Sequence, residues 1–106
     1  MDVRATVETE YIKWKGRSPE SMTRLPQSGS DRVYFRLIDR GDHIIGAFNP
    51  SREENDAFVG FSNHFRSKDL PVPEIYTYYP EQKVYFLEDL GDINLFTWLA
   101  LRPENE

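Results

Sequence analysis

The chain has 106 residues, with 13 basic and 18 acidic side chains, a formal net charge of -5 and no cysteine. This length allows one small domain with a modest core, and 39% hydrophobic residues are too many for a disordered chain. The acidic balance argues against a dominant role at nucleic acids or membrane surfaces, which need clustered lysine and arginine. The absence of cysteine excludes disulfide frameworks and thiolate metal sites.

The N-terminal segment, residues 1–21, is predicted to be a helix followed by a linker. Gly16 is typical of a helix end, and residues 17–21 have a linker composition. No apolar run is long enough to span a bilayer, and no signal peptide is recognisable, so we expect a soluble, cytoplasmic protein. The apolar residues of the predicted helix recur at helical spacing: Val3, Val7, Tyr11 and Trp14.

The central segment, residues 22–89, is predicted to be α+β, with a five-stranded antiparallel sheet and one major helix between strands 3 and 4. Runs of β-branched and aromatic residues, separated by turn-forming residues, indicate the strands. Asp39–Asp42 supplies a tight turn between the second and third of them. The predicted strands are 22–26, 33–38, 43–48, 74–79 and 83–88.

The major helix is predicted to begin at Asn49–Ser51 and to run to about Lys68. Ser51, with Glu54 three residues later, has the pattern of a capping box. Glu54 lies on the expected buried face, so its carboxylate either caps the helix or points inward at a polar group. The residues expected to form that buried face are Phe58, Phe61 and Phe65, with Ala57 beside them.

The last segment, residues 90–106, is predicted to be a hinge followed by a short apolar helix. The predicted final helix contains Ile93, Phe96, Trp98 and Leu99.

Two other features could carry chemistry. Small residues in the loop Ser28–Gly29–Ser30 would let a phosphate approach the backbone, although an ordinary hairpin turn has the same composition. Neither histidine begins a His-x-Asp motif or has a metal-ligand partner at a suitable spacing.

Four motifs follow one another along residues 22–100. The first is Ser-x-Arg-x-Tyr-Phe-Arg, which begins at Ser30; the others are 54–58, 70–74 and 87–92. Together with the order of three strands, a helix and two strands, they resemble the N-terminal lobe of aminoglycoside phosphotransferase and choline kinase-like enzymes, which have a protein-kinase-like fold. The motifs are most similar to those of the bacterial cell-wall sugar kinases. The residues that match the first motif are Ser30, Arg32, Tyr34, Phe35 and Arg36.

The resemblance implies an ATP-dependent phosphotransferase that acts on a small-molecule hydroxyl, with an amino sugar or a murein sugar as the acceptor. It implies no catalytic residue and no metal ligand in this chain, because the base and the Mg²⁺ ligands of such kinases lie in a second lobe beyond the hinge. The nucleotide-binding residues that it implies are Ser28, Gly29, Ser30, Asp31 and Arg32 at the triphosphate, Glu54 orienting a cation or the loop, and Glu88, Asp89 and Leu90 at the adenine.

The sequence departs from the kinase pattern on the third strand, which lacks the usual lysine. Either Arg32 or Arg36 replaces that charge, or Glu54 is only a capping residue. Because the second lobe is missing, we expect the chain alone to bind ATP weakly or not detectably and to have no turnover. The alternative is a free-standing, non-catalytic interaction module, derived from a kinase lobe, that uses an exposed concave sheet face to bind a protein or itself, with self-association through the hinge and the final helix.

Overall fold

The computed structural model describes residues 2–25, 32–69 and 72–91. Within these ranges the chain is α+β, with two helices on a five-stranded antiparallel sheet, as the sequence predicts. The predicted final helix and the predicted loop 28–31 lie outside the described residues. The elements are α1 (Val3–Lys15), β1 (Ser21–Arg24), β2 (Val33–Asp39), β3 (Asp42–Phe48), α2 (Arg52–Arg66), β4 (Ile75–Tyr79) and β5 (Val84–Glu88).

The strands of the described sheet lie in the order β1-β2-β3-β5-β4, and every neighbouring pair is antiparallel. The β2–β3 turn has positive φ at both central residues, Arg40 (52°) and Gly41 (84°), which matches the twist of the flanking strands. β3 is central because β2 pairs with one of its edges and β5 with the other. Since α2 and β4 come between β3 and β5 in sequence, this pairing brings β5 back beside the first hairpin.

Helix α1 packs on one face of the sheet. The Asp2 side chain caps its first turn by accepting a hydrogen bond from the Ala5 N–H (3.2 Å), and Gly16 ends it in the left-handed conformation (φ 79°). Its C-terminal end is fastened to β2, because Asp39 accepts a hydrogen bond from the Tyr11 hydroxyl (3.1 Å) and pairs with the Arg17 guanidinium (2.7 Å). The buried cluster under α1 contains Val7, Tyr11, Val33, Phe35, Leu37, Ile44, Phe48, Val84 and Phe86.

Helix α2 packs on the opposite face, and its buried side differs from the prediction. Phe58 is buried and its ring lies 5.1 Å from that of Tyr85, but Phe61 and Phe65 are only half-buried and pack on each other. The predicted neighbour Ala57 is exposed. The helix lies with Asn55, Phe58 and Ser62 toward the sheet, because Asn55 Nδ2 donates to the Asn49 carbonyl (2.9 Å) and so fixes the start of the helix against the end of β3.

Candidate functional site

The sheet face that carries α2 also carries the candidate site. Because alternate residues of a strand share a face, Tyr34 and Arg36 of β2 lie on the same side as Ile45 of β3 and Leu87 of β5. Helix α2 covers the β4–β5 side of this face. The apolar part of the face consists of Leu25, Tyr34, Ile45, Ala47, Phe58, Tyr85 and Leu87.

An ion pair joins the chain just before β2 to the first turn of α2. The Arg32 Nη2 donates to Glu54 Oε1 at 2.6 Å, and Asn49 Nδ2 donates to the same oxygen at 3.1 Å. Arg32 is nearly buried (8% exposed), whereas the Glu54 side chain is 44% exposed. Ser51 Oγ accepts from the Glu54 N–H (3.3 Å), as a capping box requires, but the Glu54 carboxylate is directed to Arg32.

A second ion pair joins β2 to the chain just after β5. Arg36 donates through Nε to Asp89 Oδ2 (2.6 Å) and through Nη2 to Asp89 Oδ1 (3.1 Å), which is the bidentate arrangement of guanidinium and carboxylate. The Gly91 N–H also donates to Asp89 Oδ1, at 2.9 Å. Burial raises the pKa of Asp89, but the hydrogen bonds from Arg36 and from the Gly91 N–H outweigh it and hold the pKa below its usual value.

An open cavity of about 510 Å³ lies beside this second pair, and its described walls are Arg36, His43, Asp89 and Gly91. His43 is at the rim, where its Nδ1 lies 3.9 Å from Asp89 Oδ2. The backbone next to the cavity is no longer part of the sheet. The last hydrogen bond of β5 beside β4 is the one that the Glu88 N–H donates to the Glu74 carbonyl (2.8 Å). No described residue accepts a hydrogen bond from the N–H groups of Asp89 and Leu90.

The structure brings together some of the predicted binding residues and separates others. Arg32 and Glu54 meet, and Asp89 lines the cavity. Glu88 is directed elsewhere, since its Oε1 accepts from the Glu74 N–H (3.1 Å) and lies 3.7 Å from Arg66 Nη1. Leu90 packs against the apolar cluster. The predicted loop residues Ser28, Gly29, Ser30 and Asp31 are outside the ranges that the structure describes.

Sequence reasoning missed three features of this region. It considered Arg36 only as a substitute for the missing lysine and not as the partner of Asp89, it did not connect His43 with the site, and it gave Gly91 no role beyond its place in the hinge motif. The alternation along β2, which puts Arg36 on the face of the apolar Tyr34, was the available signal. That Asp89 is the partner could not be found locally, because the two residues are 53 positions apart.

Comparison of the sequence with protein-family models finds no match, and comparison with curated proteins finds none either. In the described part of the chain, no helix combines the length and apolar character that crossing a bilayer requires. Within the same ranges, no group of three or more histidine, aspartate or glutamate side chains is arranged to hold a metal ion.

Proposed function

We propose that this chain is the N-terminal, ATP-binding lobe of a small-molecule phosphotransferase with a protein-kinase-like fold, of the aminoglycoside phosphotransferase type. The observation that carries the proposal is the pairing of one motif with two others. Arg32 and Arg36, four positions apart in the first motif, contact Glu54 of the helix motif and Asp89 of the hinge motif. Charge-assisted hydrogen bonds therefore join three motifs that a nucleotide-binding lobe needs close to one another, which supports the proposal.

Arg32 is the residue that takes the role of the missing lysine in this proposal. The β3 side chains on the α2 face are His43, Ile45 and Ala47, so β3 supplies no lysine to Glu54. Arg32 reaches Glu54 from the chain that follows the predicted phosphate loop and is buried next to it. Glu54 would then orient Arg32 toward a phosphate, as the helix glutamate orients the lysine in kinases.

The nucleobase is assigned to the cavity beside Asp89. Its volume of about 510 Å³ is within the range of small-molecule sites. A purine edge can be read by backbone groups alone, and the N–H groups of Asp89 and Leu90 have no acceptor among the described residues. The catalytic base, the Mg²⁺ ligands and the acceptor site, for an amino sugar or a murein sugar, are assigned to a second lobe.

Titration of the ¹⁵N-labelled chain with MgATP, followed by NMR, tests this proposal. Of the two outcomes expected from the sequence, weak or undetectable binding, the proposal commits to the first: we expect millimolar affinity, with shifts confined to residues 28–32, Arg36, Glu54 and residues 89–91, and no ATP hydrolysis. Arg32→Met should abolish the shift at Glu54, whereas Lys68→Met, which removes the same charge from an exposed position at the end of α2, should leave the titration unchanged. Shifts spread over the surface, or no response at 10 mM ATP, would contradict the proposal.

The DNA sequence beyond residue 106 separates the proposed function from the interaction module. A downstream His-x-Asp motif, followed by a second metal-binding aspartate, supports the phosphotransferase. A stop codon directly after residue 106 supports the module. The apolar residues that motivate self-association, 93–99, are not among those that the structure describes.

A further inference from the structure

We propose that Arg36 is a nucleobase-stacking residue: its guanidinium, held flat by Asp89, forms the cavity wall on which the purine ring of a nucleotide lies. This inference rests on the proposed function and adds to it the residue that contacts the base. It concerns a side chain that the sequence resemblance does not place at the adenine.

The position of the guanidinium follows from the sheet order. β3 lies between β2, which carries Arg36, and β5, which precedes Asp89. Neighbouring strands are about 4.8 Å apart, so the Arg36 and Asp89 side chains together span about 10 Å of sheet surface. The Arg36 side chain therefore lies along the sheet above β3, and it lines the cavity together with His43, Asp89 and Gly91.

The guanidinium is fixed before any ligand arrives. Two of its nitrogens bond to the two carboxylate oxygens of Asp89, and that carboxylate is itself held by the Gly91 N–H. A planar fork that is already in place loses little entropy when a ring stacks on it. The Arg36 side chain is 19% exposed, so part of it remains open to the cavity, while the Asp89 side chain is 4% exposed.

The chemistry of the pair favours an aromatic ring over an anion. The Asp89 carboxylate offsets the positive charge of Arg36 and occupies two of its donors, so a phosphate would have to compete with a bidentate carboxylate. The flat face of a guanidinium, by contrast, stacks well on nucleobases. Asp89 is thus a positioning residue, and the stacking surface belongs to Arg36.

Arg36→Lys is the variant that isolates stacking, because it keeps the charge but removes the plane and the bidentate contact. Affinities for MgATP and for magnesium tripolyphosphate are measured by NMR titration of the full chain. We expect Arg36→Lys to weaken ATP binding by about 10-fold, the usual size of one base stack, and to leave tripolyphosphate binding unchanged. Lys68→Met is the control, and neither affinity should move.

A measurement on the unaltered chain keeps the test valid if Arg36→Lys does not fold. ATP should shift the Arg36 Nε–H resonance, and tripolyphosphate should not. If both ligands shift it equally, or if Arg36→Lys binds ATP as tightly as the unaltered chain, Arg36 does not stack on the base while the proposed function stands. If the unaltered chain responds to neither ligand, the proposed function and this inference both fail.

Discussion

The Arg32–Glu54 contact predicts an asymmetry between its two partners. Exposed ion pairs contribute about 0.2–1 kcal/mol to stability, and breaking buried ones costs about 3–5 kcal/mol. This pair is intermediate, with side chains 8% and 44% exposed and a 2.6 Å contact. Glu54→Gln should cost about 2 kcal/mol, because it replaces the charged acceptor of a 2.6 Å contact to a nearly buried guanidinium with a neutral one. Arg32→Met should cost only about 1 kcal/mol, because water can hydrate the half-exposed carboxylate.

Urea unfolding of the two single variants and the double variant, followed by far-UV circular dichroism, measures the coupling between them. We expect a coupling of about 1 kcal/mol between the two side chains. Arg52 and Glu81 provide the matched control: they form an ion pair of 3.2 Å whose side chains are 53% and 77% exposed. The reasoning is refuted if the control couples as strongly, or if Arg32→Met costs more than Glu54→Gln.

Three further predictions concern packing and titration. Gly46→Ala should destabilise the chain by about 1–3 kcal/mol, because a Cβ there would lie 2.9 Å from side-chain carbons of Leu37 and Val7. Gly60→Ala, whose Cβ would meet nothing within 4 Å, should stabilise α2 by about 0.5–1 kcal/mol. Urea unfolding that shows equal effects of the two substitutions contradicts this prediction. The pKa of Asp89 is lowered in the folded state, so its contribution to stability is present above its unfolded-state pKa of about 3.9 and is lost as the pH falls through its folded-state pKa. Asp89→Asn should therefore flatten the acid limb of a curve of stability against pH. An unchanged acid limb argues against the Arg36 contact. Burial, with the hydrogen bond to Asp39, raises the pKa of Tyr11 to about 12. The contribution of Tyr11 to stability is therefore complete below about pH 10 and is lost as the pH rises toward its folded-state pKa. Tyr11→Phe should cost about 1 kcal/mol at neutral pH and reduce the loss of stability at alkaline pH, which thermal unfolding from pH 9 to 12 would detect.

Local sequence patterns were sufficient for the described elements and their order. The second strand, predicted at 33–38, is Val33–Asp39 in the structure, and the first helix ends where Gly16 predicts. These elements follow from residue type over a few positions: β-branched and aromatic runs, a left-handed glycine and the serine that caps α2. Each of these patterns acts through neighbours in sequence, which is why the prediction succeeded.

Contacts between distant positions were not predictable in the same way. The buried side of α2 was assigned to Phe61 and Phe65, because hydrophobicity was the only criterion, whereas the helix turns Asn55 and Ser62 toward the sheet. Two alternatives had been left open for the Glu54 carboxylate, and in the structure it contacts the polar group Arg32, while only the Glu54 N–H takes part in the cap. The choice depends on a residue 22 positions away, which a local pattern does not contain.

The order of the strands also has a consequence for how the chain folds. The pairings β1–β2, β2–β3 and β4–β5 each join strands that are adjacent in sequence, whereas β3–β5 must close over α2 and β4. Closing a long loop carries an entropy cost before its contacts form, so we expect the β3–β5 pairing, the seam of the sheet, to limit the folding rate. Within it, Ile45 faces Leu87, and both are fully buried. Until they meet, β3 and β5 each present an unpaired apolar edge, which makes the seam the place where aggregation competes with folding.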